Sequence, residues 1–190
     1  MKLFHIALAG FLSLAAFAGS AFSAAAADLL TIQLKDGPVV IQLMPEVAPK
    51  HVAQIEALAK KGAYDNVVFH RVIDGFMAQT GDVQYGNTTK GYDANKAGTG
   101  GSDLPNIPAE FSKVPFQRGT VGMARAQDPN SANSQFFIMF ANGDFLNGQY
   151  TVVGKVISGM ELVDKIKRGE GQNGEVSNPD KRVKVTVTTK

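Results

Sequence analysis

One arginine stands in a run of apolar and aromatic residues, Phe69-His70-Arg71-Val72-Ile73-Asp74-Gly75-Phe76-Met77-Ala78-Gln79. Its guanidinium keeps its proton in a protein, so Arg71 cannot act as a base. It is a fixed fork of donors with a permanent charge. Phe76 and Met77 supply an apolar surface beside it, and Gln79 adds a side-chain amide. That combination suits an apolar group next to a carbonyl oxygen, which describes a prolyl peptide. From its own residues Arg71 is open to a second reading, a structural arginine paired with Asp74 or Asp82.

The remaining sequence offers little competing chemistry. There is no cysteine, which removes thiol nucleophiles, disulfides and thiolate metal sites. His5, His51 and His70 have no ligand-like spacing, so no metal is expected, and no cofactor. No G-x-S-x-G elbow is present. Gly98-Thr99-Gly100-Gly101 lacks the lysine and hydroxyl that close a phosphate loop, so it reads as a plain glycine loop. His70 neighbours Arg71, points to the other face of a strand, and reads as a packing residue.

Short β-rich runs must position these side chains. Leu29 to Leu34 and Val39 to Leu43 flank an Asp36-Gly37 turn, a hairpin pattern. Pro49 can open a helix whose inner face is Val52, Ile55, Leu58 and Ala59, stopping at Gly62. Val67 to Ile73 and Phe76 to Thr80 read as strands joined at Asp74-Gly75. Further strands are expected at Gly119 to Ala124, Phe136 to Phe140, Tyr150 to Ile157 and Val183 to Val187. Met160 to Lys167 reads as a second helix that ends at Gly169. The stretch 82–109 is glycine-rich and irregular, as functional or mobile loops are. Alternation with short turns predicts a mainly β, antiparallel sheet, closed or stacked.

At this point the sequence resembles the cyclophilins, the cyclosporin-binding peptidyl-prolyl isomerases. Phe69-His70-Arg71 with Gly75-Phe76-Met77-Ala78-Gln79 is one motif. Gly122-Met123-Ala124-Arg125-Ala126 followed by Asn133-Ser134-Gln135-Phe136-Phe137-Ile138 is the other. Gly148 and Val152-Val153-Gly154-Lys155-Val156 add support, and the likeness spans nearly all of residues 29 to 188. The resemblance implies a closed eight-stranded antiparallel barrel capped by two α-helices. It implies acceleration of cis/trans rotation about Xaa-Pro bonds. It makes Arg71 and Gln79 the catalytic residues, and it counts Phe145 and Tyr150 among those that bind substrate. Phe76, Met77, Phe137 and Leu146 would form the proline pocket, and Ala124, Arg125, Ala126 and Gln135 the peptide groove. Phe136 then belongs to the core, because neighbours on a strand face opposite ways.

Three positions depart from the family pattern. Thr80 stands where a small Gly or Ala is usual, so the local turn is expected to differ. Phe145 stands where many members carry a tryptophan that hydrogen-bonds cyclosporin, and phenylalanine has no N–H to give. Cyclosporin is therefore expected to bind with weakened affinity. Tyr150 stands where a histidine is frequent at the pocket rim. Little pH dependence of activity is expected near neutrality.

Residues 1–27 read as a signal peptide, with Lys2, a mostly apolar Leu3 to Phe17, and small residues leading to a cut after Ser23, Ala26 or Ala27. An uncleaved anchor is the other reading. Loss of Lys2 with the leader takes the formal charge from +2 to +1, too near neutral for a nucleic-acid or anionic-membrane footprint. The 190 residues then comprise the leader and one domain over 28–190, periplasmic or secreted, without stable membrane association. Its expected partners are unfolded or flexible proline-containing polypeptides. A non-catalytic proline-peptide holdase is the alternative function.

Overall fold

The computed structural model describes residues 28–171, 173–180 and 184–189. The expected leader, 1–27, lies outside the described residues. Eight strands follow in order: β1 (Leu29–Leu34), β2 (Gly37–Leu43), β3 (Arg71–Ile73), β4 (Met77–Thr80), β5 (Thr120–Met123), β6 (Phe136–Met139), β7 (Val152–Ser158) and β8 (Lys184–Thr188). Helix α1 (Pro49–Lys60) follows β2, and α2 (Met160–Val163) follows β7. All pairings are antiparallel, in the order β3-β4-β6-β5-β7-β2-β1-β8.

The sheet curls into a half-barrel and does not close, which corrects the closed barrel expected from the sequence. No ladder joins β3 to β8 among the described residues. The outer edge of β3 is met instead by the segment that precedes β8. Val72 N donates to Gly174 O at 2.7 Å, Gly169 N to Val72 O at 2.8 Å, and Val176 N to His70 O at 3.1 Å. An exposed edge needs partners for its N–H and C=O groups, and this irregular segment supplies them.

Most element bounds fall within two residues of expectation, and β3 and α2 differ more. The strand expected from Val67 begins at Arg71, because Val68 N donates to Gly86 O and Phe69 N to Asp180 O instead of to a ladder. The second helix is a single turn. Arg168 Nη1 takes the carbonyls of Asp164 at 2.8 Å and Ile166 at 2.6 Å, acceptors that a longer helix would have used internally. Thr80, where a changed turn was expected, stays in regular pairing with Phe136. Its hydroxyl donates to Val68 O at 2.8 Å.

The interior has two parts. The larger holds Ile32, Ile41, Phe69, Phe136 and Val153, covered by Val52, Ile55, Leu58 and Ala59 of α1. The smaller holds Met77, Phe116, Phe137, Met139, Leu146 and Val152, with Phe76, Ala124 and Tyr150 packed on it. Phe136 and Phe137 thus divide between the two, as strand alternation requires. The smaller cluster is the floor of the candidate site.

Helix α1 is capped from a distance. Ala48 offers no capping side chain. Glu110, from the connection ahead of β5, accepts Lys50 N and His51 N at 3.1 Å each, and its Oε2 accepts the buried His51 Nδ1 at 2.6 Å. Burial pushes the Glu110 carboxyl up, but these donors outweigh it and hold the pKa below the ordinary value of 4.5. A carboxyl with a depressed folded pKa stabilises fully above its unfolded value and loses that contribution as pH falls through the folded one. Glu110→Gln is therefore expected to lower the urea midpoint at about pH 7, with the deficit shrinking toward about pH 3. Denaturation of both proteins at the two pH values measures this, and an equal deficit at both would contradict it.

Candidate active site

Arg71 opens β3 and pairs in register with Gln79 of β4, so their side chains share one face. Arg71 Nη1 donates to Gln79 Oε1 at 3.1 Å, and Nε to Asn173 O at 2.8 Å. An arginine only donates, so Gln79 must turn its oxygen toward it and its NH2 away. That NH2 meets Gln135 Oε1 at 2.9 Å. The NH2 of Gln135 then meets Gly98 O at 2.9 Å and Gly100 O at 2.8 Å. One directed chain thus runs from the guanidinium into the glycine loop.

The carboxylates that could have paired with Arg71 are engaged elsewhere. Asp74 accepts Arg168 Nε at 2.9 Å, which holds its carboxyl below the ordinary range. Asp82 is fully buried among backbone amides. Its Oδ1 accepts Gln84 N and Tyr85 N at 3.1 and 2.8 Å, and its Oδ2 accepts Gly98 N and Gly100 N at 2.8 and 2.9 Å. Among the described residues no carboxylate pairs with Arg71.

Arg71 and Gln79 lie in the wall of a cavity of about 260 Å³ whose other side chains are mostly apolar or aromatic. Phe76, Met77, Ala124, Arg125, Phe137, Phe145, Leu146 and Tyr150 complete the lining. Phe137 forms the floor, stacked on Phe116 at 5.7 Å and met edge-on by Tyr150 at 6.0 Å. Gly122 permits this stack, since a Cβ there would lie 2.5 Å from Phe116 and 2.6 Å from Phe137. Phe145 sits on a one-turn 3₁₀ helix, 5.5 Å from Phe76, and is 66 % exposed at the rim.

The two other expected site residues, Ala126 and Gln135, line an adjoining depression of about 370 Å³. Gln79, Ala124 and Arg125 are shared between the two cavities. Ala126 N is occupied by Ser131 Oγ at 2.9 Å. The backbone N–H and C=O of Arg125 have no hydrogen-bond partner among the described residues. The Arg125 side chain packs its guanidinium 4.4 Å above the Tyr150 ring. The arrangement offers an oily hollow, a fixed cation at its edge and a free strand-like backbone beside it.

The family model for cyclophilin-type peptidyl-prolyl cis-trans isomerases matches residues 29–190. The chain belongs to the cyclophilins. It is a peptidyl-prolyl cis-trans isomerase. A probable peptidyl-prolyl cis-trans isomerase of Brucella suis is 61% identical over 191 residues, covering 98% of this chain and 97% of the relative. Peptidyl-prolyl cis-trans isomerase B of Escherichia coli is 38% identical over 150 residues, covering 73% and 84%. A Cryptosporidium parvum cyclophilin crystallised in the presence of the dipeptide Ala-Pro superposes with a TM-score of 0.72 at 26% identity, covering 85% of this chain and 99% of that one.

This cyclophilin carries site residues that the sequence reading left out. Gly98, Thr99, Gly100, Ser131 and Asn133 line the depression, and Asp82 anchors the loop beneath it. Asn133 Oδ1 accepts Ser102 N at 2.7 Å, and its amide donates to Leu104 O at 2.8 Å. The signal was present in the glycines: Gly100 has an Asp82 oxygen 2.5 Å from where a Cβ would stand. Only the fold reveals which carboxylate comes that close.

Proposed function

We propose that this isomerase works on exported proteins, with Arg71 as the group that eases rotation of the Xaa-Pro bond. Resonance raises the barrier about a peptide C–N bond to about 18–20 kcal/mol. At the twisted transition state the resonance is lost and the nitrogen regains its lone pair. A site that binds this form better than the planar one is a catalyst, with no proton transfer and no covalent intermediate. The hollow formed by Phe76, Met77, Phe137 and Leu146 holds the proline ring. Arg71 donates toward the returning lone pair and the prolyl carbonyl, and Gln79 holds the guanidinium in place. The observation that carries this reading is a guanidinium at the edge of an apolar cavity, tethered by neutral oxygens and by no carboxylate. The Ala-Pro dipeptide used with the C. parvum cyclophilin is the kind of ligand this hollow fits.

Export is inferred from the pattern of residues 1–27, and the lack of cysteine is compatible with it. The leader is removed after Ser23, Ala26 or Ala27, and the mature enzyme assists folding in the periplasm or outside the cell. Amino-terminal sequencing of protein from the periplasmic and extracellular fractions tests this. An intact Met1 in a membrane fraction would overturn it.

Two-dimensional exchange NMR on a short proline peptide tests the catalytic reading. Exchange should quicken at protein amounts far below the peptide. Suppression of aggregation only near one-to-one, without exchange enhancement, would favour a holdase. Cyclosporin should inhibit weakly, since Phe145 has no N–H. Phe145→Trp is expected to tighten inhibition roughly three- to tenfold, the worth of one neutral hydrogen bond. An unchanged inhibition constant would remove Phe145 from that explanation.

A further inference from the structure

Two basic side chains line the paired cavities, Arg71 and Arg125, and no Asp or Glu lines either one. Arg71 is held by Gln79 and Asn173, as described. Arg125 stands at the boundary between the proline pocket and the adjoining depression. Its Nη1 donates to Ala126 O at 2.9 Å and Gln127 O at 3.1 Å, and its Nη2 to Gln149 O at 3.1 Å. These carbonyls, with the Tyr150 ring beneath, fix the guanidinium but bring no negative charge to it. It forms no ion pair among the described residues.

Acids on neighbouring elements do not change this. Asp128 turns one carboxylate oxygen to Asn130 N at 2.8 Å. Asp144 sits on the 3₁₀ turn, and Glu175 is exposed across a backbone bridge from Arg71. None of the three lines either of these two cavities. The depression carries the polar side chains of Thr99, Ser131 and Asn133 in its wall. Arg125 lines both cavities, so it borders the space open to a residue beside a proline seated in the hollow. The pre-positioned charge there lacks a counterion.

We propose that the groove selects Xaa-Pro segments with an Asp or Glu next to the proline, and that Arg125 is the residue that determines this preference. The inference rests on the isomerase site proposed above and adds the class of substrate. The carboxylate completes a pair that the protein leaves open, and a lysine at the same place meets like charge.

The test compares three peptides, with Glu, Gln or Lys beside the proline, placed before it in one series and after it in another. Both ends are blocked so that no terminal charge contributes. Exchange NMR gives kcat/KM for each. Opposite and like charge at such a partly exposed site should separate Glu from Lys roughly five- to tenfold at low salt, chiefly through KM. The ratio should shrink in about 0.5 M salt, where screening is strong. In Arg125→Gln the Glu-to-Lys ratio should fall close to one, each rate taken relative to the Gln peptide on the same variant. Arg125→Lys should retain most of the preference, which a purely structural role for the arginine would not predict. Wild-type turnover of the Gln peptide with equal Glu and Lys rates would overturn the proposal, as would a full ratio in Arg125→Gln. Absence of turnover on all three peptides would instead remove the site reading and this proposal with it.

Discussion

Arg71→Ala should fold normally and lose most of its isomerase activity. The variant gives up one contact to Gln79 and one to Asn173, both at the surface side of β3. Neutral partners at partly exposed positions make this a small loss, about 1 kcal/mol of stability. The catalytic loss is larger, since a hydrogen bond from a charged donor contributes about 1.5–3 kcal/mol. At 1.36 kcal/mol per decade this amounts to roughly ten- to a few-hundred-fold in kcat/KM. Any further acceleration must come from the apolar hollow and from holding the peptide in a suitable conformation. Arg71→Lys should recover little, because an ammonium cannot bridge Gln79 and Asn173 while facing the cavity. Exchange NMR and a denaturation curve on each variant measure the two effects separately. Near wild-type turnover in Arg71→Ala would end the proposed role of the guanidinium.

Asp82→Ala should damage both stability and activity although Asp82 lines neither cavity of the site. Its carboxylate accepts four backbone N–H groups, two from Gln84 and Tyr85 and two from Gly98 and Gly100. Each donor left without an acceptor costs about 1–3 kcal/mol when buried and less where water can enter. The loop is only partly buried, so a net loss of roughly 3 kcal/mol is expected. Activity follows because the carbonyls of the same two glycines hold Gln135, which holds Gln79, which holds Arg71. With the loop released, the guanidinium loses its fixed direction. Asp82→Asn should recover little, since its NH2 would face backbone N–H groups. The checks are the urea midpoint, kcat/KM, and the amide shifts of Gly98, Gly100 and the Gln135 side chain. An unchanged midpoint with undisturbed glycine shifts would show that the loop does not depend on this carboxylate.

Much of the site could be read in advance because it is written locally. Arg71, Phe76, Met77 and Gln79 lie within two short strands joined by one turn, and strand alternation puts Arg71 and Gln79 on one face. Phe136 and Phe137 separate between core and groove for the same reason. The inner face of α1 follows from its 3.6-residue period. The misreadings lie where contacts are distant in sequence. The β3 edge is covered by Gly169, Gly174 and Val176, about a hundred positions away, and the sheet stays open where a closed barrel was expected. The second helix stops after one turn, and Arg168 takes the carbonyls of Asp164 and Ile166 just beyond it.

The amino-acid sequence alone determined the chemistry: a cation that cannot titrate, set among apolar residues at fixed short spacing, in a chain without thiols or metal-ligand patterns. Tertiary structure decided what surrounds that cation. Asp74 and Asp82 both lie close to Arg71 in sequence, yet one binds Arg168 and the other a nest of amides. Partner choice depends on distances between side chains from separate strands and loops, and those exist only once the sheet has curled.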